Sequence, residues 1–194
     1  MKRYDIINQF ITARGYTSFL EIGTEKGESF RHVNCDVKVS VDPDPATNAT
    51  YVMTSDAFFA THDGVFDIVF IDGLHEHNQA FRDVLNALHS LSPNGVIVMH
   101  DCHPTNRSME QADNMSKYNM PWTGDVWKAF VKARAEYPYL AYVVDVDYGC
   151  GIIDTAHARS DDVSDLPTDM ETMTYHQFVM HPEWMNFQGG VMNL

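Results

Sequence analysis

Short apolar runs in this 194-residue chain end repeatedly in side chains that can move protons or hold cations. Five such ends are Glu21-Ile22-Gly23-Thr24-Glu25-Lys26-Gly27, Asp42, Ser55-Asp56, Asp72-Gly73-Leu74-His75 and His100-Asp101-Cys102-His103. In an open α/β sheet the ligand lies beyond the carboxyl ends of the strands, so these groups read together as one site. A glycine turn after a first strand lets a ligand approach the backbone. An acid about 20 residues further on can hold ribose hydroxyls, and Asp42 follows Glu21 at that distance. The signature is nucleoside binding.

The glycine spacing is Gly23-x-x-x-Gly27, not the G-x-G-x-x-G that accommodates a dinucleotide pyrophosphate. A nucleoside without a pyrophosphate fits better. S-adenosylmethionine (SAM) is one: its ammonium and sulfonium suit Glu21 and Asp72, its ribose suits Asp42, and its adenine amine can meet Asp56. Two rivals stay open, a nicotinamide-dependent oxidoreductase, against which the missing glycine counts, and a non-catalytic nucleoside-binding protein. His103 is the expected general base, because imidazole accepts a hydroxyl proton at neutral pH. His75 competes for that role or orients Asp72, and Asp101 stands between them at the fifth strand end. Asp72 and Asp101 end neighbouring strands, so their carboxylates converge on a divalent-ion site with His100 as the third group. His75, His77, His100 and His103 share that edge, and two histidines with a carboxylate could instead hold Zn²⁺ or Fe²⁺.

The elements that must carry these groups alternate between strand and helix. Ile6, Ile7, Phe10 and Ile11 recur at helical spacing before Gly15, which predicts a leading helix. Ser18 to Ile22, Val37 to Val41, Thr50 to Met53, Phe66 to Ile71 and Val96 to Met99 read as strands, the last opened by a turn at Pro93-Asn94-Gly95. Helices are expected from Gly27 to Val33, from Ser55, and across Phe81, Val84, Leu85 and Leu88. Cys102 to Pro121 has no pattern and reads as a substrate-facing lid to which Met109, Met115 and Met120 give an apolar character. Trp122 and Trp127 at helical spacing read as core before ligand stacking, and of the two Trp122, at the loop junction, is the better placed for a substrate contact. Tyr139 to Val146 and Gly151 to Thr155 are joined too closely for a parallel crossover, which makes them a hairpin. Residues 1–155 form the domain, and residues 156–194 an extension packing on it or on a partner.

Composition narrows the class of partner. Thirteen basic against 27 acidic residues leave a formal charge of −14, which disfavours nucleic acid and anionic membrane surfaces. No apolar run approaches the length of a membrane span, and no signal-peptide pattern opens the chain. Three cysteines without a CxxC pair read as free thiols in a reducing compartment, so the expected location is the cytoplasm. Cys102 reads as a packed thiol. The expected partner is a small-molecule acceptor, and a homo-oligomer is allowed.

The segments FLEIGTEKGESF, VSVDPDP, TSDAFF, FDIVFIDGLHEHNQAFRDVLNALHSLSPNGVIVMHDCHP and TGDVWKAF resemble the class I SAM-dependent methyltransferases over residues 17 to 155. The similarity is to the small-molecule O-methyltransferase branch that includes macrolide-sugar O-methyltransferases and relatives of cephalosporin-type hydroxylase or methyltransferase proteins. It implies a Rossmann-like, doubly wound α/β fold with a seven-stranded sheet, mostly parallel with an antiparallel last strand, and helices on both faces. It further implies that Glu21, Gly23, Thr24 and Gly27 form the cofactor loop. Asp42 would hold the ribose, Ser55 and Asp56 the adenine, and Asp72 would lie beside the methionine moiety. In the macrolide-sugar relatives an acid at the Asp72 position and two adjacent acids after the fifth strand bind magnesium, followed by a histidine base. Asp101 and His103 fall on those places, but His100 stands where that pattern has a carboxylate, and imidazole is a poor ligand for hard Mg²⁺. The expected reaction is transfer of the SAM methyl group to an oxygen, less readily a nitrogen, of a small molecule such as a sugar or natural product.

Overall fold

The computed structural model describes residues 1–111, 120–192 and 194. The leading helix α1 (Arg3–Arg14) turns Ile6, Ile7, Phe10 and Ile11 inward and stops at Gly15, whose φ of 65° is the left-handed cap glycine tolerates best. Strands β1 (Ser18–Ile22), β2 (Val37–Asp42), β3 (Tyr51–Val52), β4 (Phe66–Ile71) and β5 (Leu91–Met99) alternate with α2 (Glu28–His32), α3 (Ser55–Thr61) and α4 (His77–Ser90). Helix α5 (Val126–Glu136) leads into the hairpin β6 (Tyr139–Val144) and β7 (Cys150–Ala158).

The sheet order is β3-β2-β1-β4-β5-β7-β6-β8, with β7 antiparallel to both of its neighbours and the other pairings parallel. Alternate side chains of the central strands serve two cores. Val69, Ile71, Ile97 and Met99 face α4 and α5. Ile68, Phe70, Val96 and Val98 face α1. The doubly wound architecture is thus as the sequence predicts.

Two expectations need correction. The sheet has eight strands, not seven: β8 (Phe187–Gln188) comes from the C-terminal extension and pairs with β6 through Val143 and Val144. Two residues are too short to show a period of two, so no alternation marked this strand. The extension also forms α6 (Tyr175–Met180) and a 3₁₀ turn, Pro182–Met185, which presses Trp184 toward Trp127 with centroids 6.5 Å apart. Arg134 fixes that turn by donating to the carbonyls of Glu183 and Trp184 at 2.9 and 2.7 Å. Second, Pro93-Asn94-Gly95 does not end an element: Leu91 pairs with Phe66 and Val96 with Ile68, so the turn residues bulge within β5.

α1 is pinned by a bidentate ion pair, with Arg14 reaching the fully buried Asp154 of β7 at 2.8 and 2.6 Å. This fixes where Arg3, at the other end of α1, enters the site. Among the described residues no helix is long and apolar enough to cross a membrane.

Candidate functional site

The loop after β1 closes on its neighbours before any ligand is considered. Gly23 has φ 86° and donates to the Val41 carbonyl at 2.9 Å, while Asp72 N–H donates to Ile22 at 2.8 Å. A Cβ on Gly23 would stand 2.0 Å from the Asp72 carbonyl oxygen, so β1 and β4 approach more closely than a side chain permits. Asp42 Oδ2 accepts from the N–H groups of Thr24 and Glu25, both at 2.9 Å, and Oδ1 accepts from Asp44 N–H at 2.9 Å. The carboxylate therefore shapes the loop as well as bordering the space above it. Thr24 and Gly27 belong to the same loop without lining that space.

Glu21 lies beneath the loop, 1% exposed, with Oε2 unpartnered. Burial and then the charge of Asp72 push its pKa up to about 8. The folded state thus keeps a proton that the unfolded chain releases near the ordinary carboxylate value, and unfolding becomes easier as pH rises from about 4.5 toward 8. Glu21→Gln removes this linkage. Its stability relative to the parent should improve between pH 5 and pH 8 by roughly 2 kcal/mol in urea titrations. Equal pH dependence in the two proteins would contradict the buried neutral carboxyl.

Two cavities of about 400 and 390 Å³ run along the strand ends and share Gly23, Asp42 and Gly73. The first is bordered by Pro43, Ser55, Asp56, Leu74, Gln79 and Asp83. Ser55 and Asp56 are set there by α3, whose N-cap Thr54 accepts from Ala57 N–H through its hydroxyl at 3.3 Å. The second is bordered by Arg3, Asp72, His75, His100, Asp101 and Trp122.

In the second cavity His100 Nδ1 lies 3.2 Å from both Asp72 Oδ1 and Asp101 Oδ2. His75 Nε2 lies 3.5 and 3.3 Å from the same two oxygens, and its Nδ1 donates to the Trp122 carbonyl at 3.2 Å. The Trp122 ring stacks on His75 at 4.7 Å, which puts that side chain at the cleft. Burial opposes charge on both imidazoles, but the carboxylates of Asp72 and Asp101 raise His75 and carry His100 well above the usual imidazole value. Reciprocally, against its own burial, Asp72 is held far below the carboxylate range by His100 and His75. Arg3 completes the cluster, 3.8 Å from Asp72 and 2.9 Å from Asp147 in the β6–β7 turn.

His103 stands apart from this cleft. The β6–β7 turn holds its backbone, with His103 N–H donating to Tyr148 at 2.7 Å, and its Nδ1 lies 2.6 Å from Asp145. It borders a separate cavity of about 340 Å³ whose other walls include Tyr175, Phe178 and Phe187 of the extension. His77 is also outside the cleft, where its Nδ1 meets Asp125 at 2.6 Å and ties α4 to α5. Cys102 is fully buried and burial drives its thiol pKa upward, which suits a packed thiol.

Residues 20–102 match the model of the family Methyltransf_24, described as a methyltransferase domain. That span contains β1 to β5 and both cavities' strand ends. No curated protein matches the chain in sequence. Solved structures share the fold. The tomaymycin-synthesis O-methyltransferase TomG from Streptomyces achromogenes, in complex with SAM, is 17% identical with a TM-score of 0.59, over 79% of each chain. The methyltransferase PaMTH1 from Podospora anserina, bound to S-adenosylhomocysteine (SAH), is 16% identical with a TM-score of 0.59, over 81% of this chain and 78% of its own. An O-methyltransferase from Bacillus cereus in complex with SAH is 16% identical with a TM-score of 0.57, over 78% and 80%.

The acidic corner of the second cavity offers the donor atoms that a metal ion would need. Asp72, His75 and Asp101 each offer one ligand atom within 4.8 Å of the others, so the convergent set contains His75 where the sequence reading put His100. His100 instead spends Nδ1 on the two carboxylates. The set does not fit Mg²⁺, which takes near-ideal octahedral oxygen coordination, because an imidazole is the third donor and another already occupies the carboxylate oxygens.

The site also includes residues that sequence reasoning missed. Arg3 and Asp147 meet there from positions 144 residues apart and carry no local signal. Asp83 and Gln79 did carry one: Asp83 falls three residues after Ala80 and four before Ala87 on the buried face of α4.

Proposed function

We propose that this chain is a methyltransferase that takes SAM as methyl donor and methylates an oxygen, less readily a nitrogen, of a small molecule such as a sugar or natural product. The observation that carries this reading is the pair of joined cavities. One end has the size and apolar-plus-carboxylate lining of a nucleoside site, and the other sets Asp42, Asp72 and Asp101 beside Arg3, His75 and His100, a mixed lining suited to the charged groups of a methionine moiety. Asp42 borders both cavities, which supports a role in accepting from the ribose hydroxyls. Ser55 and Asp56 border the base, and Asp72 the methionine part.

A dinucleotide finds little support here. Asp42 already takes the loop N–H groups of Thr24 and Glu25, and Glu25 and Glu28 would repel a pyrophosphate. When bound, SAM supplies an activated methyl that moves to the acceptor oxygen by in-line displacement, so alignment is the protein's main contribution. His103 takes the acceptor proton on Nε2, because Asp145 engages Nδ1 and fixes the opposite ring nitrogen as the base. For this the acceptor must reach from the cavity at His103, whose aromatic walls suit a flat or apolar body, to the methyl group in the neighbouring cleft. Asp101, His75 and His100 act as a charge-balanced frame that orients Asp72. Cys35, Cys102 and Cys150 are all free thiols, which supports a reducing, cytoplasmic setting.

Calorimetric titration with SAH, SAM and NAD tests the reading: SAH and SAM should bind and NAD should not. Asp42→Ala should weaken SAH at least about 10-fold, the worth of a charge-assisted hydrogen bond. Native affinity in a folded Asp42→Ala variant would remove the cofactor from this cleft.

A further inference from the structure

Asp83 is a carboxylate in the wrong place for structure alone. It lies on the side of α4 that packs Ala80, Val84 and Ala87 into the core, and it is 1% exposed. A buried carboxylate without a cation is costly, and among the described residues no hydrogen bond or ion pair links Asp83 to one. Its partners are neutral: the Gln79 amide donates to Oδ1 at 3.0 Å, and the Ser55 hydroxyl bonds to it as well. The same Gln79 amide nitrogen lies 3.3 Å from both Ser55 Oγ and Asp56 Oδ1, and Arg82 holds the Gln79 carbonyl oxygen. The amide is therefore a fixed hub that orients Asp83.

The carboxylate so oriented borders the nucleoside-sized cavity. Its Oδ2 lies 3.7 Å from where a Cβ on Gly73 would be, beside the backbone shared by both cavities. An ionised carboxylate only accepts hydrogen bonds, so its natural ligand at that wall is a group with N–H to donate. Resting on the reading that this cavity holds the adenosine of SAM, we propose that Asp83, positioned by Gln79, accepts a hydrogen bond from the exocyclic amine of the base and makes the site selective for a 6-aminopurine over a 6-oxopurine.

Asp56 borders the same cavity but is about half exposed, so water competes for it and a mismatched base leaves it solvated. Asp83 has no such escape. A 6-oxopurine would bring a carbonyl against a buried acceptor, the case in which a polar site rejects a near-isostere strongly. Burial also pushes the Asp83 pKa up to about 6, opposed by Ser55 and Gln79, so the carboxylate is mainly ionised at the pH of the test below.

The test is calorimetry at pH 7.5 on the full chain with SAH and S-inosylhomocysteine, which differs at the purine 6-position. The parent should bind SAH at least about 30-fold more tightly than the oxo analogue. Asp83→Asn, whose amide can donate to a 6-oxo group, should weaken SAH by about 10-fold and bring the two ligands within about 3-fold of each other. Equal affinities in the parent, or an equal loss for both ligands in Asp83→Asn, would overturn the assignment and leave Asp83 a packing residue. If Asp83→Asn does not fold, Gln79→Ala must narrow the ratio, and an unchanged ratio overturns it. A parent that binds neither ligand defeats the cofactor reading itself, and this inference with it, which is a different result from binding without discrimination.

Discussion

Gly23→Ala is expected to abolish measurable SAH binding and to lower stability by about 3 kcal/mol or more. The added Cβ would stand 2.0 Å from the Asp72 oxygen and 2.5 Å from its carbonyl carbon, both backbone atoms that no rotamer change can move. Relief requires β1 and β4 to separate at the point where the two cavities join, which displaces Asp72 and the N–H groups on Asp42 together. Gly15 supplies the control. Its φ of 65° is equally left-handed, but nothing lies within 4 Å of a Cβ there, so Gly15→Ala should cost about 1 kcal/mol of conformational strain and leave SAH affinity alone. Urea midpoints and calorimetry on the two variants separate strain from collision. A Gly23→Ala protein with parental affinity would show that the loop does not form the cofactor floor.

His103→Ala should lower kcat at least about 100-fold while SAH affinity stays within about 2-fold, the pattern of a lost proton acceptor. His103 is outside the SAM-sized cleft, which is why binding should survive. Asp145→Asn should give a smaller loss of roughly 10-fold, because it leaves the imidazole in place and removes only the group that orients it. Single-turnover rates across pH 5.5 to 9 for these variants and for His75→Ala decide between the candidates. A parental rate in His103→Ala would pass the role to another residue or to no protein base. His75 is the weaker candidate, since its Nε2 faces two carboxylates that favour the protonated ring.

The central sheet was legible because its strands are short runs rich in β-branched and aromatic residues that stop at a glycine or a polar residue. Phe66 to Ile71 followed by Asp72 is the clearest case. Those same stops placed Asp42, Ser55, Asp56, Asp72 and Asp101 around one cleft. What the sequence hid were relations between distant residues. Nothing near Arg3 announces Asp147 or Asp72, because the link depends on how α1 docks through Arg14 and Asp154. The separation of His103 from the cleft was equally hidden, since two residues along a strand end say nothing about which side of the β6–β7 turn each side chain takes. Met109 proved to be core, 2% exposed, while Met115 of the expected lid lies outside the described residues.

The strand β8 has a consequence for engineering. Its pairing covers β6 at Val143 and Val144, at the end of a strand that would otherwise present an open sheet edge of the kind that recruits other chains. The segment that caps this edge also supplies Phe187 and, through α6, Tyr175, Phe178 and Val179 to the cavity at His103. A truncated chain ending after β7 would therefore lose a cavity wall and gain an aggregation-prone border in the same cut. Libraries aimed at new acceptors can vary Tyr175 and Val179, which line space, but must keep the register of Phe187 and Gln188 on Val143 and Val144. The cavity wall and the covered edge are carried by one piece of chain, and it has to be redesigned as one piece.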